Sequence, residues 1–370
     1  MRYILFLCLL VFLSCNNQSN QSTNSAKEEF KAKRGVNISH WLSQSRVRGE
    51  ERAAYFTEED VKFIASIGYD HIRLPIDEEQ MWDEEGNKET EAFHLLHNAL
   101  GWAKKQKLDV IVDLHIIRSH YFNSDDNTLW TDPKEQEKFN DLWRDLSGEF
   151  KKYPITDVAY ELMNEAVADD PEDWNRLVAN AITAVRKTEP ERIIVVGSNM
   201  WQHYDTFHQL KVPDDPNLIL SFHFYKPFLL THYKTRWNDI RFYEGPVHYP
   251  GMTVHDEDIT PELQEYLNNE PNRNRDFTIE TIREMFQEPI RVAMDKGLPL
   301  YCGEFGCYPT VQEEDLLRWY EDMIMVLEEC DIGWANWDYK GGFGIADSKT
   351  REPKKELIKT LLGEEAILGL

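Results

Sequence analysis

The sequence predicts an α/β fold, a closed (β/α)8 TIM barrel, on three observations. Short apolar, strand-like runs alternate with longer amphipathic stretches eight times between residues 34 and 362, and no linker interrupts them. No glycine-rich phosphate turn follows the first strand, as an open doubly wound sheet would be expected to carry. Eight such β/α units in about 330 residues have the length expected of a barrel with insertions.

The first strand is predicted at 35–38 (GVNI). A helix follows at 57–67, with Thr57 as N-cap, Asp60 at the capping-box position and Gly68 as its stop. The second strand, 71–74, ends at Pro75. A helix at 93–107 leads to the third strand, 109–114 (DVIVDL), a strongly β-branched run. A helix at 134–151 precedes the fourth strand, 158–163. The next helix, 171–187, opens on Pro171, whose missing N–H costs nothing in a first turn. Strands five and six fall at 193–196 and 218–224. The largest insertion, 226–277, separates strand six from its helix at 278–296. Strand seven is 298–302, with a helix at 313–329. Strand eight is 332–337, and a helix at 354–362 closes the fold.

The N-terminus reads differently. Met1-Arg2 and a nearly unbroken apolar run from Tyr3 to Leu13 fit a signal peptide, being too short to span a bilayer. Leu13-Ser14-Cys15 resembles the lipobox of bacterial lipoproteins, which implies cleavage before Cys15 and lipidation of its thiol. Residues 16–29 are polar, rich in Asn, Ser and Gln, and without apolar periodicity. The expected organisation is a signal peptide at 1–15, a flexible tether at 16–33 and one folded domain at 34–370. The expected location is outside the cytosol, across the inner membrane and lipid-anchored at the cell envelope or surface. Cys302, Cys307 and Cys330 remain, which make neither a zinc site nor a disulfide framework; at most one pair could bridge.

The chain has 370 residues, a formal charge of -25 and 12% aromatic residues, so most of it should fold. A nucleic-acid partner would need a basic face, and none is found. The charge serves solubility and would also disfavour acidic polymers.

The case for catalysis rests on where unusual residues fall. Arg73 stands on strand two, His115 ends strand three, and Asn164 and Glu165 end strand four. His223 and Tyr225 mark strand six, Glu304 strand seven and Trp337 strand eight. On a barrel, the C-terminal ends of all strands meet at one face, so these eight would share one pocket. Glu165 and Glu304 are a candidate carboxylate pair on opposite sides of the barrel. Glycoside hydrolysis needs one such group to protonate the leaving oxygen and a second to act at the anomeric carbon. A gap of about 5–5.5 Å implies retention, and one of about 6.5–9.5 Å inversion. The spacing of histidines and carboxylates supports no metal site, and Asn123–Asn127 lacks the glycine and terminal Glu of a calcium loop.

The strings HIRLP (71–75), VIVDLH (110–115), YELMNEA (160–166), SFHFY (221–225), YCGEFG (301–306) and GWANWDYKGG (333–342) resemble glycoside hydrolase family 5, the cellulase family, across the whole barrel and in order. The resemblance implies that Glu165 is the general acid/base and Glu304 the nucleophile of a retaining mechanism. It implies that Asn164 bonds the sugar 2-hydroxyl and that Arg73 and Tyr225 hold Glu304 ionised. His223 would help set the protonation of Glu165, His115 would bind hydroxyls, and Trp337 would be the stacking floor. The segment 37–46 (NISHWLSQSR) and the long insertion depart from the family pattern. His40 and Trp41 could line the cleft or pack. His120, Tyr121 and Phe122 could border it. Tyr233, Trp237, Tyr243 and Tyr249 of the insertion could stack on sugars or anchor the loop.

The expected activity is endo-β-1,4-glucanase or mixed-linkage glucanase, with β-mannanase, xyloglucanase and (exo-)β-1,3-glucanase as rivals within the same chemistry. A surface glycan-binding protein on a barrel scaffold is the alternative from another class. The expected partner is a β-glycan polysaccharide or oligosaccharide, with no nucleic acid, no organic cofactor and no metal. The membrane is met through the lipid anchor only, and a monomer is expected.

Overall fold

The computed structural model describes residues 30–269 and 273–370. The predicted signal peptide, Cys15 and residues 16–29 of the predicted tether lie outside the described residues. Eight parallel strands close into a barrel: β1 (Arg34–Asn37), β2 (His71–Asp77), β3 (Asp109–Ile116), β4 (Val158–Glu161), β5 (Ile194–Gly197), β6 (Leu218–Phe224), β7 (Leu300–Phe305) and β8 (Gly333–Asn336). Each strand pairs with its chain neighbours, and β8 pairs with β1, as the alternating pattern predicts for a (β/α)8 barrel.

Side chains fill the barrel. Ile111, Ala159, Val195, Ile219, Tyr301 and Ala335, one from each of β3 to β8, form an inner layer. Phe30, Ala32 and Ile193 pack against that layer. Gly333 makes this approach possible, because a Cβ there would lie 1.7 Å from the Ala32 carbonyl oxygen. Lys31 also donates its N–H to Asp109 at 2.6 Å. Residues 30–33, assigned to the tether by composition, therefore belong with the folded unit.

The helices start where their caps are. Asp132 and Asp170 accept from the N–H groups of Lys134 and Glu172, with Pro133 and Pro171 in the first turns of Pro133–Phe150 and Pro171–Arg186. Thr57 and Asp60 form the predicted capping box of Glu58–Ser66.

Several boundaries differ from expectation, each for a physical reason. β2 runs through Pro75 to Asp77, all buried. Losing the proline N–H removes one ladder bond rather than the strand, and the register shifts just after, between Ile76 and Asp77. β4 ends at Glu161, two residues before the predicted end, although the Leu162 and Asn164 N–H groups still donate to the Val195 and Leu114 carbonyls. The predicted helix 278–296 is broken at Phe286 into Ile279–Met285 and Gln287–Lys296, with Pro289 in the first turn of the second. β7 extends to Phe305, so Glu304 lies within the strand.

The insertion holds a helix, Pro261–Asn269, and a short antiparallel pair, Gly251–Met252 with Asp276–Phe277. Tyr233, Tyr243 and Tyr249 are buried, and their hydroxyls donate to the Gly245 carbonyl, the Pro246 carbonyl and Asp322. They anchor the loop, while Trp237 is 57% exposed. Among the described residues no helix is long and apolar enough to cross a membrane, and Cys302, Cys307 and Cys330 are unpaired thiols.

Candidate active site

The C-terminal end of the barrel gathers the strand-end residues around one buried guanidinium. Arg73, on β2, is fully buried among carboxylates. Its Nε and Nη2 donate to the two oxygens of Glu161 at 2.6 and 3.1 Å. Nη2 also meets Asn164 Oδ1 at 2.9 Å and Asp113 Oδ2 at 3.0 Å. Nη1 donates to Asn37 Oδ1 at 2.9 Å and Glu304 Oε1 at 2.7 Å. Five donors on a rigid fork suit this task, where a lysine would present a point charge.

Glu304 sits in β7 beside His223 in β6, which the register pairs directly. Tyr225 donates its hydroxyl to Glu304 Oε2 at 2.9 Å. Glu165 follows β4 with its backbone in the left-handed region, at φ 47°. His223 Nδ1 lies 2.9 Å from Glu165 Oε1 and 3.7 Å from Glu304 Oε2. A carboxylate oxygen of Glu165 and one of Glu304 lie within 4.8 Å of each other. That approach is on the short side of the two spacings that glycosidases use.

The two glutamates differ electrostatically. Burial, then the charge of Glu304, raises Glu165 well above the ordinary carboxylate range. Burial also raises Glu304, but Arg73, His115 and the Tyr225 hydroxyl oppose it. Both carboxyls are thus raised, Glu165 the more strongly, so Glu304 is the first of the two to ionise. His223 is held well below its usual range by burial and by Arg73. A neutral imidazole nitrogen accepts from a protonated carboxyl in one tautomer and donates to a carboxylate in the other, so the contact with Glu165 survives either protonation state.

Asp113 and His115 share one face of β3. Their side chains meet at 2.6 Å through Nδ1, and the His115 Nε2 is buried without a partner among the described residues. Burial lowers the His115 imidazole to about 4 and raises the Asp113 carboxyl to about 7. The His115 ring is parallel to Trp337, with centroids 5.7 Å apart and Phe122 against its edge at 5.6 Å. His40 approaches the Trp337 edge at 6.5 Å, whereas Trp41 is buried against Phe56. His120 is buried and accepts from the Val167 N–H, while Tyr121 is 40% exposed.

All eight strand-end residues therefore lie about one mouth. Asn37, Asp113, Glu161 and Gln202 join them without having been singled out from sequence. Asp113 and Glu161 had a visible signal: each is a carboxylate inside an apolar run. Gln202 had none, since it lies in a loop after β5.

Two clusters offer metal-type donors among the described residues. Glu165, His223 and Glu304 already bond one another as above. His248, His255 and Asp258 lie in the insertion, but the imidazoles are stacked 4.4 Å apart with planes 14° apart. In-plane lone pairs of stacked rings do not converge on one ion.

The cellulase family model (glycosyl hydrolase family 5) matches residues 17–342. Endoglucanase C of Acetivibrio thermocellus is 33% identical over 340 residues, spanning 90% of this chain and 98% of its own. Cellodextrinase A of Ruminococcus flavefaciens is 28% identical over 88% of this chain and 93% of its own. A solved hyperthermophilic endo-β-1,4-glucanase in complex with substrate superposes with a TM-score of 0.73 at 26% identity, covering 90% and 97% of the two chains.

Proposed function

The chain belongs to glycosyl hydrolase family 5, and from that premise we propose that it is a retaining endo-β-1,4-glucanase, or a mixed-linkage glucanase, acting through Glu165 and Glu304. The observation that carries the mechanism is the separation of the two carboxylates, with oxygens within 4.8 Å of each other. Glu304, oriented by Arg73 and Tyr225, attacks the anomeric carbon as its anion. Glu165 gives its proton to the departing glycosidic oxygen. The covalent glycosyl-enzyme is then opened by water, from which Glu165 takes a proton. Asn164, fixed through its Oδ1 by Arg73, keeps Nδ2 as a donor for the sugar 2-hydroxyl. His115 Nε2 takes a further hydroxyl, and Trp337 supplies a flat apolar face beneath the ring.

The relatives named endoglucanase support a β-glucan substrate and internal cleavage. Export and lipid attachment at Cys15 are part of the proposal and rest on the sequence of residues 1–15.

The test is reducing-end release from carboxymethyl-cellulose, barley glucan, xyloglucan, glucomannan, β-mannan and laminarin, using the chain without residues 1–15 beside E304Q. Activity on cellulose derivatives or barley glucan that the substitution abolishes is the expected result. Equal behaviour of both proteins would overturn it in favour of a glycan-binding protein.

A further inference from the structure

The loop after β5 has a conformation that needs a reason. Met200, Trp201 and Gln202 are successive non-glycine residues in the left-handed region, at φ 52°, 60° and 51°. Such backbone is costly for residues with a Cβ and persists where its surroundings over-determine it. Here the restraint is the loop that carries Glu165. The Trp201 N–H donates to the Ala166 carbonyl at 3.2 Å. The Asn199 side chain accepts from the Ala168 N–H at 2.9 Å and donates to the Ala168 carbonyl at 2.7 Å.

The result is to drive the Gln202 side chain inward. It is buried, and it passes over Gly197, where a Cβ would lie 2.3 Å from its Cγ. Its Oε1 accepts the backbone N–H of Glu165 at 2.9 Å. Its Nε2 donates to Glu161 Oε1 at 3.2 Å and Ser221 Oγ at 3.1 Å. Glu161 in turn grips Arg73, and Arg73 holds Glu304. A carboxamide accepts at one atom and donates at the next, which this position requires. Leucine would strand the Glu165 N–H and remove one of the two donors to Glu161 Oε1, and an ionised glutamate would face Glu161 as a like charge.

We propose that Gln202 is a positioning residue for the general acid, fixing the backbone of Glu165 and tying it through Glu161 and Arg73 to the nucleophile. The inference rests on the retaining two-glutamate reading above.

The test compares kcat/KM on two substrates. Cellotetraose has a leaving group that needs a proton, and a dinitrophenyl β-cellobioside has one that does not. For Q202L the expected loss is about 10- to 100-fold on cellotetraose and less than about 3-fold on the aryl glycoside, the pattern of a misplaced acid. E165Q should show the same asymmetry more strongly. Q202E keeps the acceptor, so it should recover part of the cellotetraose activity as pH falls and its added carboxyl becomes neutral. That arm remains readable if Q202L does not fold. Equal losses on both substrates in a variant that retains the wild-type far-UV circular dichroism would overturn the assignment of Gln202 alone. A wild-type protein that leaves the aryl cellobioside intact would overturn the parent reading as well.

Discussion

The imidazole of His115 lies parallel to the indole of Trp337, with centroids 5.7 Å apart and planes only 9° apart. Asp113 holds the same imidazole from behind at 2.6 Å, so the ring is fixed in both position and tilt. The stacking floor and the guanidinium cluster are thereby one unit, because Asp113 also faces Arg73 at 3.0 Å.

Replacing His115 separates its two duties. H115F keeps an aromatic ring against Trp337 but removes Nε2, and H115A removes both. The expected loss in kcat/KM is about tenfold for H115F, carried by a hydroxyl contact, and larger for H115A. Titrating cellotriose into each variant while following indole fluorescence checks this. A similar affinity for both variants would mean that the stack does not hold Trp337.

Arg73 makes a stronger prediction. R73M leaves Asp113, Glu161 and Glu304 buried without their common cation, at a cost of about 3–5 kcal/mol. The sign of its pH dependence follows from the protons. Burial already raises Asp113 to about 7 and raises Glu161, and Arg73 is what opposes both. Without it, the folded variant holds protons that the unfolded chain releases above about pH 4. Stability contributed in that way is present at low pH and lost as pH rises through the folded values. The gap between wild type and R73M in urea denaturation should therefore be smaller at pH 5 than at pH 8.

The barrel and its eight polar strand ends were legible because both follow from local pattern. Alternating apolar runs name strands, and a charged residue at the end of such a run stands out. What escaped the sequence depends on contacts across long chain separations. Gln202 is one loop residue among many until Gly197 and Ala168 shape its turn. Asp60 reads as a capping residue, yet it is buried and binds Tyr339, Lys340 and Arg351 nearly three hundred residues away. The insertion's tyrosines had the same composition whether they stacked on sugar or anchored a loop. Only burial separates those two uses.

Asp60 is accordingly expected to matter for stability beyond its helix. D60A removes the capping-box acceptor and leaves the buried Lys340 without its carboxylate. A loss of about 3–5 kcal/mol is expected, against about 1 kcal/mol for a cap alone. D60N, which keeps an acceptor, should fall between. Equilibrium urea unfolding of the three proteins decides whether Asp60 is a cap or a clasp between the helix and the segment after Trp337.

The lipobox reading carries its own test. In a bacterial host the full chain should partition into the detergent phase of a Triton X-114 extract and incorporate labelled palmitate, and C15A should do neither. Label in C15A, or a wild-type chain recovered wholly in the aqueous phase, would remove the anchor from the proposed function and leave the enzyme's chemistry untouched.

The coupling between the glutamates gives the last prediction. After burial, the charge of Glu304 is the largest contributor that raises Glu165. Forming the glycosyl ester at Glu304 abolishes that charge, so the Glu165 carboxyl should become more acidic within the catalytic cycle. That is the direction the chemistry demands, since Glu165 must act as an acid in the first step and as a base in the second. E304Q reproduces the neutral nucleophile without substrate. Carbon-13 NMR of the Glu165 side-chain carboxyl should show a lower pKa in E304Q than in the wild type. An unchanged value would mean that burial alone raises Glu165, and the switch from acid to base would then need the water or the sugar to drive it.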